Sequence, residues 1–109
     1  MTAPTRLKPD ARAQQIVETA LHLSGQGNYG AVQRKEVADH LSLTPPAITY
    51  HFATMGALRT AVMRAAISRG NLGVLAQGLL LEDADAKKAP LALRRRALEF
   101  ATLKVLKEG

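Results

Sequence analysis

Two adjacent prolines, Pro45 and Pro46, limit the local conformations of this chain severely. Each fixes its own φ and lacks a backbone N–H, so the pair would break a helix interior. At the first two positions of a helix the missing N–H groups cost nothing, because no intrahelical acceptor faces them. Thr44 precedes the pair and is a residue type that caps helix starts with its side-chain oxygen. The sequence therefore predicts a helix over about 45–52, capped by the Thr44 hydroxyl.

Apolar residues recur at helical spacing along most of the remaining chain. They predict helices over about 10–24, 33–40, 54–70, 71–81 and 91–107, with a glycine-punctuated loop at 24–30 and a polar connection at 82–90. Gly70 is expected to end or bend its helix, and Gly73 and Gly78 are expected to weaken theirs. The predicted fold is all-α, with a three-helix helix-turn-helix head and two to three short C-terminal helices. Its parts are a flexible basic arm (1–9), the head (10–67) and a C-terminal segment (68–109).

Composition narrows the function classes. The 109 residues suffice for one small domain. Only 4% of them are aromatic, so the core must consist mostly of Leu, Ile, Val and Ala. The absence of cysteine excludes disulfides and thiolate metal sites. No apolar run is long enough for a signal peptide or a membrane span, and we expect a cytoplasmic protein. The net charge of +6 favours polyanionic partners. No acidic residue stands between His40 and Leu81, whereas Arg59, Arg64 and Arg69 do.

Residues 33–52 have the pattern of two short helices joined by a tight turn, which is typical of a helix-turn-helix. Ala38 is small where the second helix must cross closely, and Leu43 fills the turn. Ile48 and Phe52 are four residues apart and therefore share the inward side. This leaves Tyr50 outward rather than in the core. His51 could contact a phosphate or pack the second helix against the first helix of the head.

Residues 11–67 resemble the DNA-binding head of the tetracycline-repressor (TetR) family. The likeness rests on IVETALHL, Gly27-Asn28-Tyr29, VADHLSLTPPAITYHF and ALRTAVMRAAI. It implies that the helix from residue 45 enters the major groove and that neighbouring polar residues hold phosphates. By position this implicates Thr44, Pro45, Pro46, Ala47, Thr49, Tyr50 and His51. We add Arg34, Lys35 and Arg59 as phosphate contacts, with Arg6, Lys8 and Arg12 of the N-terminal region.

The chain departs from the family pattern at several places. Met55 stands where the family has a phosphate-binding lysine, Gln33 where it has a capping Thr or Ser, and Thr49 where it has a tyrosine. The C-terminal part has only about 40 residues, so no small-molecule inducer pocket is expected. The resemblance thus implies a miniature regulator of a kind that phages and plasmids often carry. It would be a bacterial, nucleoid-associated repressor that binds an inverted-repeat operator.

Two further features leave alternatives open. Arg94, Arg95 and Arg96 are consecutive and so spread around a helix, which is typical of a solvated face rather than a DNA contact. The leucine-rich segments 72–81 and 91–106 form either a homodimer interface or a cover over the head.

No catalytic motif appears, the three histidines lack metal-ligand spacing, and no cofactor or metal is expected, so the sequence does not predict an enzyme. The chain is expected to bind double-stranded DNA. The alternative is a helix-turn-helix module that docks on another protein without binding DNA.

Overall fold

The computed structural model describes residues 9–108, and every regular element among them is helical. The all-α prediction is confirmed. A π-helical turn and a 3₁₀ turn separate the first two helices. The seven α-helices are α1 Pro9–Leu23, α2 Arg34–Leu41, α3 Pro45–His51, α4 Met55–Arg69, α5 Leu72–Leu80, α6 Ala84–Lys87 and α7 Leu91–Glu108. The predicted arm, with Arg6 and Lys8, lies outside the described residues except for Pro9.

Helices α1 to α4 form the head around one apolar core. α1 packs against α2 and α4, and α2 packs against α3. Their inward side chains are fully buried, which is the arrangement that the helical spacing predicted. This set comprises Ile16, Val37, Ala38, Ile48, Leu58 and Val62.

The turn between α2 and α3 is compact. Ser42 adopts a left-handed conformation with φ of 57°, and the Leu43 N–H donates to the Ala38 carbonyl at 2.8 Å. Ala38 is fully buried, in agreement with the expected close crossing at that position, and Leu43 packs half-buried against the core. The bond from Leu43 closes the end of α2 and directs the chain into α3.

The segment after α1 is not the loop that its glycines predict. Ser24–Asn28 forms a π-helical turn and Tyr29–Ala31 a 3₁₀ turn. The buried Ser24 hydroxyl donates to the Ala20 carbonyl at 2.7 Å, which ties the wide turn to α1. The Ser24 carbonyl in turn accepts a bond from the Gln77 side chain at 2.7 Å. A partner 53 residues away in the chain thus keeps this turn helical.

Helices α5 to α7 form the C-terminal segment. Three helices are present, within the predicted number, but α7 has 18 residues and is the longest in the described chain. The predicted polar connection at 82–90 contains the short helix α6. Asp83 starts it, because its Oδ1 accepts from the Ala86 N–H at 2.9 Å. Gly70 ends α4 in the left-handed region with φ of 66°, as predicted.

Gly78 permits a close approach between helices α4, α5 and α6. A Cβ added at Gly78 would overlap Met63 Cε and would lie 3.0 Å from the Cβ of Ala86. Met63 and Ala86 are both fully buried, so neither has free space to move into. Helix propensity alone treats this glycine as a weakness, whereas packing requires it.

Replacing Gly78 with Ala is therefore expected to lower the free energy of unfolding. Overpacking costs about 1–3 kcal/mol, which exceeds the gain of up to about 1 kcal/mol in helix propensity. Gly73→Ala is the matched control, since its Cβ would meet only ordinary contacts, the nearest 3.5 Å from Phe100. Urea denaturation should show Gly78→Ala less stable than wild type and Gly73→Ala no less stable. Equal gains for both variants would contradict the packing argument.

Candidate nucleic-acid interface

Helix α3 begins at its two prolines, but the predicted side-chain cap is absent. Pro45 and Pro46 occupy the first two helical positions, and Thr44 precedes them with extended backbone. The first available N–H is that of Ala47, and it donates to the Thr44 carbonyl at 3.0 Å. The Thr44 hydroxyl makes no capping bond. The prediction failed because the prolines remove the N–H groups of the first two positions, and the Thr44 carbonyl engages the third.

The two sides of α3 differ sharply in exposure. Ile48 is fully buried, Phe52 is half-buried and Tyr50 is 79% exposed. This confirms the prediction that Tyr50 lies outside the core. The Tyr50 ring contacts the half-buried His51 ring edge-on, with centroids 5.0 Å apart. The Thr49 hydroxyl donates to the Pro45 carbonyl at 3.3 Å, so it is partly engaged within the helix.

Most of the residues predicted to touch DNA are accessible. The exposed ones are Thr44, Pro45, Pro46, Thr49 and Tyr50, while Ala47 and His51 are half-buried. The exposed surface is short, uncharged and mixed in character, with two proline rings, two threonine hydroxyls and a phenol. Such groups can make apolar and hydrogen-bonding contacts to base edges, but they supply little electrostatic attraction.

The three predicted phosphate contacts gather around one open cleft of about 520 Å³ beside the start of α3. Arg34, Lys35 and Arg59 all line it, together with Pro45 and Met55. Residues 30–33, which include the end of the 3₁₀ turn and the two residues after it, also line the cleft. The shared cleft could not be predicted from residue types and spacing, because α2 and α4 are separated by α3 in the chain.

The cations of this cleft have different partners. Arg34 Nη2 donates to the Ala53 carbonyl at 3.1 Å, so this side chain also ties the start of α2 to the turn before α4. Lys35 pairs with Asp39 at 2.7 Å, and the hydrogen bond raises the pKa of the lysine above its ordinary value. Both groups are therefore positively charged but partly engaged.

The stretch from His40 to Leu81 lacks acids in sequence but not in space. Arg64 pairs with Asp85 of α6 at 3.3 Å, and Arg69 pairs with Glu18 of α1. Between residues 9 and 108, Arg59 is the only one of the three arginines in this stretch without an ion pair. Because long-range pairing is invisible in the sequence, the acid-free stretch overstated the free positive charge. Arg59 remains the cation best suited to a phosphate.

Met55 contributes to the same cleft without a charge. It is the first residue of α4, half-buried, and it packs against the core. The helix start is capped instead by Thr54, whose hydroxyl oxygen accepts from the Ala57 N–H at 3.0 Å. The cleft is thus lined by an apolar side chain at the position where the family pattern has a lysine.

The start of α2 keeps a capping contact despite Gln33. The Gln33 N–H donates to Glu36 Oε1 at 2.9 Å. A glutamate three residues after the cap position is a recognised sequence signature of helix starts. Glu36 was therefore the signal in the sequence for this capping contact, and the residue at the cap position alone does not reveal it.

The three consecutive arginines of α7 point in different directions around the helix, as predicted. Arg94 Nε donates to the Ala89 carbonyl at 2.8 Å, while Arg95 and Arg96 are exposed. Arg94 therefore supports the turn before α7. This favours the interpretation of a solvated face over a shared DNA-contacting stripe.

Two other site types are not found in the described part of the chain. Among residues 9–108 no three His, Asp or Glu side chains gather in a way that could hold a metal ion. Over the same range no helix combines the length and apolar character needed to cross a bilayer.

Comparison with known proteins gives one match. The family model for bacterial regulatory proteins of the tetR family matches residues 16–62, which run from α1 into α4 and include the whole of α2 and α3. The match covers less than half of the chain and leaves α5 to α7 outside. Neither the curated proteins nor the solved structures provide a match to the chain.

The two threonines that precede α3 and α4 should respond differently to substitution. Thr54→Ala removes a cap and is expected to cost about 1 kcal/mol of stability, whereas Thr44→Ala removes no bond to the helix start. Thermal denaturation of the two variants beside wild type measures the difference. An equal loss from both would mean that the Thr44 hydroxyl caps α3 after all.

Proposed function

We infer that this chain regulates transcription by binding double-stranded DNA, because its residues 16–62 match the family model for bacterial regulatory proteins of the tetR family. The observation that carries the proposal is the matched segment itself, folded with a buried Ile48 and an exposed Tyr50 on the same short helix. A helix of this kind can enter the major groove with one side while its other side stays in the core.

Helix α3 is proposed as the recognition helix. Tyr50 and Thr49 are exposed and can bond to base edges, and Pro45, Pro46 and Ala47 can pack against thymine methyl groups. Thr44 and His51 flank this surface at the two ends of the helix and suit contacts to sugar or phosphate.

The cleft beside α3 is proposed to hold the DNA backbone. Arg59 is the principal phosphate ligand in this scheme, because its charge is not paired within the described residues. Arg34 and Lys35 lie on the same cleft and add positive charge. Each neutralised phosphate makes the affinity fall with rising salt.

A homodimer is proposed through the C-terminal segment. Apart from Tyr50, every large apolar side chain that is strongly exposed between residues 10 and 108 belongs to this segment. They are Leu80, Leu81, Leu91, Leu98, Phe100, Leu103, Val105 and Leu106. Leu91, Leu98 and Val105 recur every seven residues and so form a nearly straight line along α7, since seven residues drift only about 20°. Such a line suits pairing with a second copy.

Two copies related by a two-fold axis would present two recognition helices to an inverted repeat. Occupation of such an operator would exclude polymerase, so repression is the proposed outcome. Activity would then follow the protein concentration.

The DNA-binding proposal is tested with the whole protein. Wild type should be retained on random duplex DNA at about 50 mM salt and released steeply as salt rises. Selection from a random duplex library then supplies a preferred site. For that site Tyr50→Ala should lose about 1–3 kcal/mol of binding, comparable to one mismatched base pair, while its non-specific binding persists.

The control for this experiment is a substitution of Arg95, an exposed arginine of α7. Arg95→Ala should match wild type on the selected site apart from a small uniform loss, because it lies outside the matched domain. Failure of wild type to bind any duplex at low salt would transfer the chain to the class of protein-docking modules. Unchanged affinity of Tyr50→Ala would remove that residue from the recognition surface.

The dimer is tested by light scattering at micromolar concentration. Wild type should give about twice the 11.7 kDa mass of one chain, and Leu98→Glu should give the single-chain mass, because it places a charge in the middle of the apolar line. Arg96→Glu introduces the same charge on the far side of α7 and should stay dimeric. A monomeric wild type would refute the proposed interface.

A further inference from the structure

One side chain, Tyr29, connects the two walls of the basic cleft. It stands in the 3₁₀ turn directly before residues 30–33, which form one wall. Its hydroxyl lies 3.2 Å from the carbonyl oxygen of Arg59, on the α4 wall. The ring itself is only 3% exposed, so it cannot rotate freely between alternative positions. The separation of the walls therefore depends on where Tyr29 is held.

Tyr29 is held by the C-terminal segment rather than by the head alone. Its hydroxyl donates to Asp83 Oδ2 at 2.7 Å, 54 residues away in the chain. Its backbone N–H donates to Gln77 Oε1, also at 2.7 Å. The same Gln77 amide donates to the Ser24 carbonyl at 2.7 Å. One glutamine thus bonds to two backbone groups of the irregular turns, the Tyr29 N–H and the Ser24 carbonyl.

The bond from Tyr29 to Asp83 has a charged acceptor and is correspondingly strong. Burial, together with the neighbouring Asp83 carboxylate, raises the pKa of the Tyr29 hydroxyl well above its ordinary value. The phenol therefore stays protonated and remains a donor at any physiological pH. Asp83 is fixed in turn, because its other oxygen caps α6 through the Ala86 N–H.

Packing adds a second constraint at the same place. A Cβ added at Gly30 would lie 2.9 Å from Leu81 Cδ1, so the cleft wall approaches the end of α5 closely. The wall is thus in contact with the C-terminal segment through both hydrogen bonds and close packing.

We propose that Asp83 and Gln77 are positioning residues for DNA binding, which act through Tyr29 to hold Arg59 and the opposite cleft wall at the separation that a phosphate requires. This rests on the proposed DNA-binding function and adds a role for the C-terminal segment beyond self-association. Loss of the clasp formed by Tyr29, Gln77 and Asp83 leaves the recognition helix intact but weakens backbone binding, because α3 contributes none of these bonds.

The proposal predicts a shared effect of Tyr29 and Arg59 on the salt dependence of binding. Tyr29→Phe keeps the buried ring but removes the hydroxyl bonds. It should lower the slope of log affinity against log salt by about 1 per subunit bound, the value for one phosphate contact. Arg59→Ala should do the same. The double variant should show no further decrease in the slope, because both substitutions remove the same phosphate contact.

The role of Asp83 is tested with Asp83→Ser and a control of equal charge loss. Serine can still cap α6 but is too short to reach Tyr29, so the salt slope should fall as in Tyr29→Phe. Glu82→Gln removes a neighbouring exposed charge without touching the clasp and should keep the wild-type slope. Thermal denaturation of each variant shows that the fold persists under the binding conditions.

Three outcomes are distinguishable. If wild type binds no duplex, the proposed function itself fails. If Arg59→Ala changes the slope but Tyr29→Phe and Asp83→Ser do not, DNA binding stands and the positioning role is refuted. If the effects of Tyr29→Phe and Arg59→Ala on the slope add in the double variant, the two residues act independently, which also refutes it.

Discussion

The complete burial of Ile48 is the constraint on which the proposed DNA-binding surface depends. Helix α3 has only seven residues, and Ile48 is its one fully buried side chain. With Ile48 in the core, Tyr50 two residues later must point away, since successive helical residues are turned by about 100°. The close turn at Ala38 and Leu43 then fixes the direction of the helix axis. Rotation and direction together determine which side chains can reach a groove.

Local sequence signals predicted this head well because its determinants lie close together in the chain. The proline pair, the four-residue spacing of Ile48 and Phe52, and the small residue at Ala38 all act within 20 residues. The same local reasoning failed for the Thr44 cap, where backbone and side chain compete for one N–H and the backbone takes it. The outcome of that competition depends on geometry that residue types do not encode.

Features that depend on distant partners could not be predicted. The π-helical turn looked like a glycine loop because Gln77, which holds it, comes 53 residues later. Gly78 looked like a weak point in a helix because Met63, which needs the space, lies on another helix. The supposed acid-free stretch lost two of its three arginines to carboxylates outside it. In each case the decisive partner is distant in the sequence and close only in the folded chain.

The end of α5 has two proposed roles, support of the cleft wall and contact with a second copy of the chain. The end of α5 supports the cleft wall through Gln77 and the Gly30 contact, while Leu80 and Leu81 beside them remain largely exposed. A partner that covers those leucines would also restrict the motion of α5 and thereby of the clasp. If self-association stabilises the clasp geometry that DNA binding requires, self-association raises the affinity for DNA. By thermodynamic linkage, bound DNA then strengthens self-association by the same factor. The C-terminal segment can in this way couple the proposed self-association to DNA affinity.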